Sequence, residues 1–171
     1  MESGVGRVDL RPLSFDHPDS RWLVAEIQAF YRVRYGGEDE TPVEPADFAA
    51  PRGFFVVGYV DGEPVACGGW RARDATPGDP GLRAGDAEAK RMYVAAAHRG
   101  RGYARAVLAE LERTAAAAGR LRVVLETGTL QPEAVTLYAS CGYAPMPNFG
   151  TYRRSPTSRC YAKPLSVSAQ S

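Results

Sequence analysis

The chain has 171 residues, 44% of them hydrophobic and 24% charged, the length of one ordinary domain with enough apolar material to bury its own core. Its 21 Lys and Arg against 20 Asp and Glu leave a formal charge of +1, too little for a whole-molecule field that grips nucleic acid or an anionic membrane, so neither partner is expected. The longest apolar run, Phe54 to Val60, falls far short of the roughly 20 residues of a membrane helix, and the opening Met-Glu-Ser-Gly lacks a basic start and an apolar signal core, which points to a cytoplasmic protein.

Val8 to Leu13 alternates apolar and polar residues and reads as a strand. From Asp19, Leu23, Ile27, Phe30 and Tyr31 follow at helical spacing until Gly36-Gly37. The acidic stretch Glu38 to Pro45 reads as a surface loop with solvated side chains, leading into a short helix near Pro45 to Ala50. Gly53 to Val60 and Glu63 to Trp70 are β-rich runs around Asp61-Gly62, a pair suited to the positive φ angles of a type I′ turn, and predict a hairpin. Residues 73 to 85 form a loop, and Ala87 to Val94 a further strand. Beyond Gly102 the period changes. Ala104, Val107, Leu108, Leu111, Ala115 and Ala118 make the apolar stripe of an amphipathic helix stopped by Gly119. Arg122 to Glu126 is another strand, Pro132 opens a helix through Ser140 with Gly142 as terminator, and short strands around Tyr143 and Ser158 to Lys163 follow.

No repeat or long linker interrupts this order, so one domain over residues 6–165 with flexible termini at 1–5 and 166–171 is expected, built as a mixed sheet packed by helices. Cys67, Cys141 and Cys160 are too scattered for a zinc site or disulfide framework and read as packing residues. His17 and His98 lack partners at metal spacing and read as surface residues, so no metal is expected. The charge is divided unevenly. Residues 1–85 hold 9 basic and 14 acidic side chains and residues 86–171 hold 12 and 6, which makes the second half the better place for an anion.

That half contains His98-Arg99-Gly100-Arg101-Gly102-Tyr103-Ala104, between a strand and the long helix. Two glycines admit close approach of a ligand to the main chain, and the unpaired N–H groups and positive dipole end of the helix suit a phosphate, supplemented by Arg99, Arg101 and Arg105. A nucleotide P-loop would need Gly-Lys-Ser or Gly-Lys-Thr, which is absent. A dinucleotide fold would need an acidic residue about twenty positions on, where this chain has Arg120 to Leu125.

The remaining pattern, Arg99-x-x-Gly102-x-Ala104, resembles the acyl-coenzyme A signature of the Gcn5-related N-acetyltransferase (GNAT) family. Glu88 to Val94 looks like that family's fourth strand, and Gln131-x-x-Ala134-x-x-Leu137-Tyr138 with Cys141-Gly142-Tyr143 looks like its final helix and turn. The resemblance is strongest over residues 86–144. It implies a GNAT-like α/β fold with a mixed, mostly antiparallel central sheet flanked by helices and a splayed strand pair for coenzyme A. It also implies acetyl-CoA as cosubstrate and an amine on a small molecule or protein as acceptor.

By the same resemblance, Arg99, Gly100, Arg101, Gly102, Tyr103 and Ala104 would clasp the pyrophosphate, Met92 N–H would face the acetyl carbonyl, and the Val94 backbone would hold the pantetheine arm. Gln131 stands where the family more often has Asn in contact with that arm. Glu88 takes the position of a general base in some members, with Glu126 in reserve, and Tyr138 that of the acid aimed at the sulfur. For the acceptor, Tyr31, Tyr35, Glu38, Asp39 and Glu40 could draw a cationic amine or only be solvated. Pro145, Pro147, Phe149, Gly150 and Tyr152 wall the acceptor site or pack over the sheet edge. Cys141 has no neighbouring His to activate it, so direct transfer is expected rather than a covalent route. An acyl-CoA-binding regulatory module without turnover is the rival reading, and a homodimer is compatible with the sequence.

Overall fold

Local backbone signals set the element boundaries in the structure, a computed structural model that describes residues 7–166; residues 1–6 and 167–171, which take in most of the expected flexible termini, lie outside the described residues. After strand β1 (Asp9–Pro12), helix α1 (Pro18–Tyr35) opens with Pro18 in its first turn and the His17 ring accepting from the Asp19 N–H, and closes on Gly36 at φ 77°. The expected short helix appears as a 3₁₀ turn over Pro45–Phe48. Strands β2 (Gly53–Val60) and β3 (Glu63–Arg73) meet at Asp61 and Gly62 with φ 51° and 80°, as a type I′ turn requires.

Strand β4 (Asp86–Val94), helix α2 (Tyr103–Ala117), strand β5 (Arg122–Gly128), helix α3 (Pro132–Ser140) and strands β6 (Ala144–Met146) and β7 (Ser158–Pro164) complete the order. Among the described residues, the seven strands form one sheet in the order β1-β2-β3-β4-β5-β7-β6. Every neighbouring pair is antiparallel except β4 and β5, which run parallel. Among the described residues no helix is long and apolar enough to cross a membrane.

The alternation in β2 sends Val56 to one face of the sheet and Phe55, Val57 and Tyr59 to the other. On the first face the α2 stripe Val107, Leu108, Leu111 and Ala115 packs over Val56, Trp70 and Val123. On the second, Leu23 and Ile27 of α1 pack over Phe55, Val57 and Tyr59. Gly68 lets α2 come this close, because a Cβ there would stand 2.8 Å from Val107 Cγ1. Phe149 belongs to a third cluster with Val124 and Cys160, so this part of the aromatic segment after Tyr143 packs on the sheet.

Strands β4 and β5 pair only from Asp86 to Glu88 against Arg122 to Val124. A buried ion pair anchors that short ladder at its start. Asp86, 1% exposed, takes Arg122 Nε and Nη2 on its two carboxylate oxygens, both at 2.8 Å, and also accepts the Arg83 N–H at 2.8 Å. Removing one partner of such a pair leaves the other charge buried and uncompensated, at a cost of about 3–5 kcal/mol. Asp86→Ala is therefore expected to lower unfolding stability by about that amount in urea titration, and adding Arg122→Met to recover part of it. Wild-type stability in the single variant would contradict this account of the strand pair.

Candidate active site

Beyond Glu88 the two parallel strands part, and a cleft of about 740 Å³ opens between β4, from Ala89 to Val94, and β5, from Leu125 to Gly128. A bulge in β4 aims its residues. Gly68 of β3 faces both Arg91 and Met92, and Arg91 takes the left-handed backbone at φ 58°. The start of α2 borders it, α3 contributes Ala134, Leu137 and Tyr138, and Phe30, Tyr31 and Tyr35 of α1 line it together with the loop through Asp39.

At the α2 end, Gly100 and Gly102 stand at φ 79° and 82°, with open space where a Cβ would project, and no side chain among the described residues caps the helix. First-turn amides left without a side-chain acceptor fit an anionic group such as a pyrophosphate. Gly100, Gly102, Tyr103 and Ala104 line the cleft, and the Tyr103 ring is buried in the core. Of the three arginines expected to assist, Arg99 lines the cleft, donates to Val94 O at 3.1 Å and lies over the Phe30 and Tyr93 rings. Arg105 lines it too but bonds Ser140 Oγ at 2.8 Å and Cys141 Sγ at 3.2 Å, whereas Arg101 is not among the lining residues. Met92, Val94 and Gln131 all border the space. The Gln131 amide is engaged, donating at 2.9 Å to the Tyr35 hydroxyl, which lies over the Gly128 backbone.

Tyr138 is buried with its ring edge-on to Tyr143, and its hydroxyl lies 4.0 Å from Met92 Sδ. Burial pushes the phenol up to about 12, so it keeps its proton at neutral pH and acts as a donor. Glu126 of β5 lines the same cleft. Burial, with Asp39 and Glu88 nearby, pushes its carboxyl up to about 7 against the opposing pull of Lys90. A carboxyl so poised exchanges a proton at neutral pH.

Glu88 is placed differently from the expectation. It is 4% exposed, is not among the residues lining the cleft, and is held by Arg71 at 2.9 Å and Arg73 at 3.8 Å. Asp39 departs from the solvated loop expected of it. Its carboxylate contacts Lys90 and Arg91, and its main chain exchanges two hydrogen bonds with the Gln28 amide. Burial alone would raise the Asp39 carboxyl, but Lys90, Arg91 and Thr41 hold it at about 2. His98, expected at the surface, borders the cleft with Nδ1 buried, and Tyr152 reaches across to accept the Glu40 N–H at 2.7 Å. No group of His, Cys, Asp and Glu suited to a metal occurs among the described residues.

A splayed parallel pair with a glycine-lined helix start at one end and a titratable carboxyl and a phenol along its walls defines an acyltransferase of the kind that uses acyl-coenzyme A. The chain belongs to the acetyltransferase (GNAT) family, whose model matches residues 21–143. It is 32% identical over 143 residues to the IAA acetyltransferase of Azospirillum brasilense, a match covering 84% of this chain and 88% of that protein. Among solved structures, one described as an acyl-CoA N-acyltransferase from Klebsiella pneumoniae subsp. pneumoniae MGH 78578 superposes with TM-score 0.73 at 25% identity, over 93% of this chain and 98% of that one. A GNAT acetyltransferase from Staphylococcus aureus Mu50 shares the fold with TM-score 0.71 at 13% identity, over 92% and 100%. Members of the family use acetyl-CoA as cosubstrate and act on amine acceptors.

The Asp39 contacts can be tested through acid stability. The unfolded carboxyl takes up its proton near its ordinary value of about 4, the folded one only near 2. The stabilisation is thus complete above the first value and lost as pH falls through the second. Asp39→Asn is expected to be less stable than wild type at neutral pH, with the gap narrowing from pH 4 to pH 2 in denaturant titrations. A gap constant across that range would contradict the pairing.

Proposed function

We propose that this protein transfers the acetyl group of acetyl-CoA to a primary amine by direct attack. One juxtaposition carries the reading, a carboxyl titrating near 7 and a phenol that stays protonated, both facing the cleft where β4 and β5 part. Acetyl-CoA supplies the activated acyl carbon. Gly100, Gly102 and the first amides of α2 hold its pyrophosphate, with Arg99 beside them, and the edge of β4 from Met92 to Val94 holds its arm. Met92 N–H polarises the thioester carbonyl.

Glu126, taking the place first given to Glu88, removes the proton of the attacking amine as the new C–N bond forms. Tyr138 donates its proton to the sulfur as the C–S bond breaks. Glu126 ends with one more proton and Tyr138 with one fewer, and solvent restores both. Cys141 lies outside this route, since its thiol is not among the cleft-lining groups and is occupied by Arg105. Residues 6–165 act as one catalytic unit, because the cleft draws on α1 near one end of the chain and Ser158 near the other.

On this reading kcat/KM for an amine rises with pH through about 7 as Glu126 loses its proton. Glu126→Gln should lower it about a hundredfold and flatten that limb, while Glu88→Gln keeps the limb. Tyr138→Phe should cut turnover by a similar factor, with acetyl-CoA affinity by calorimetry within about twofold of wild type. Coenzyme binding with no thiol released across an amine panel would instead favour the regulatory module.

A further inference from the structure

Two cations stand inside the cleft and share one carboxylate. Lys90 and Arg91 have 8% and 3% of their side-chain surface exposed, both border the cleft, and both contact Asp39, Lys90 Nζ at 3.4 Å. The Nε of Arg91 is buried with no hydrogen-bond partner among the described residues. The neighbouring carboxylates are engaged elsewhere, Glu88 by Arg71, Glu38 by Arg32 and Glu133 by Arg34. Among the described residues Glu126 is the remaining acidic group of the cleft, and in the proposed reaction it becomes neutral when it takes the amine proton. At that moment two buried positive charges face the single negative charge of Asp39. An uncompensated charge away from water is costly, and an anion brought in by the substrate removes that cost.

We propose that the acceptor is a small molecule bearing a carboxylate as well as its amine, an amino acid or amino-acid-like compound, with the carboxylate held by Lys90 and Arg91. The inference rests on the amine-acetylation reading and narrows it. Arginine offers a planar fork of donors and lysine a point charge, and Asp39 restrains both, so they are positioned before the substrate arrives. The first turn of α2, which receives the coenzyme's pyrophosphate, lies on the other side of the β4 bulge in sequence, past Val94.

The test compares sets of matched acceptors, each an amino acid, its methyl ester and the corresponding decarboxylated amine, by thiol release with wild type, Lys90→Met and Lys90→Arg. The wild-type protein should favour the free acid over its ester by about tenfold or more in kcat/KM. Lys90→Met should lose most of that preference through a higher acceptor KM, and Lys90→Arg should retain it. The wild-type comparison stands even if Lys90→Met fails to fold. Equal rates on acid, ester and decarboxylated amine would overturn the inference while leaving amine acetylation intact. No thiol release with any amine would overturn the acetylation reading and this inference with it.

Discussion

The structure depends on how briefly β4 and β5 stay together. A parallel ladder of three residue pairs is fixed at its start by the buried Asp86 and Arg122 pair, and beyond it the strands part in the middle of a seven-stranded sheet. Elsewhere in the sheet, neighbouring strands pair antiparallel. At this one place the β4 bulge and the departure of β5 open the slot. The two core layers, under α1 and under α2, hold the slot open by packing against the sheet from both faces.

Within the slot, environment sets the protonation of the acidic groups apart. The Tyr138 phenol is shut away among Tyr143 and Tyr161, so burial favours its neutral form. Glu126 is only half-buried and feels Lys90 as well as Asp39, so its carboxyl settles near neutrality instead of far above it. Asp39 is held well below its usual range by the cations beside it. Three ionisable side chains in one space thus differ in their protonation at the same pH, as the proposed general base and general acid require.

Features written in local sequence were legible. The Asp61-Gly62 turn, the α2 stripe and its Gly119 stop, Pro132 at the start of α3 and the glycines at 100 and 102 each express a backbone preference or a periodicity carried by a few neighbouring residues. Features made by distant residues were not. Arg71, which occupies Glu88, is 17 positions away, and Arg91 meets Asp39 across 52. No periodicity reports such a meeting, and Asp39 sits in an acidic run whose composition alone favours solvent. The left-handed backbone of Arg91 was hidden for a related reason, since bulges arise from register between strands rather than from the residue itself. Glu126 was visible as a strand-end carboxylate, but the arginine that engages Glu88 was not.

The contact between Tyr35 and Gly128 bears on how such a chain can diverge. A Cβ at position 128 would fall 2.2 Å from the Tyr35 oxygen and 2.8 Å from the ring carbon that carries it, and the hydroxyl is tied to Gln131. A bulkier residue at 128 is tolerated only once the aromatic at 35 has shrunk or swung away, whereas 35 is free to lose its ring first. Mutational history at these two positions therefore has a preferred order, and a descendant with a larger residue at 128 should have either replaced the tyrosine at 35 or turned its ring out of this contact.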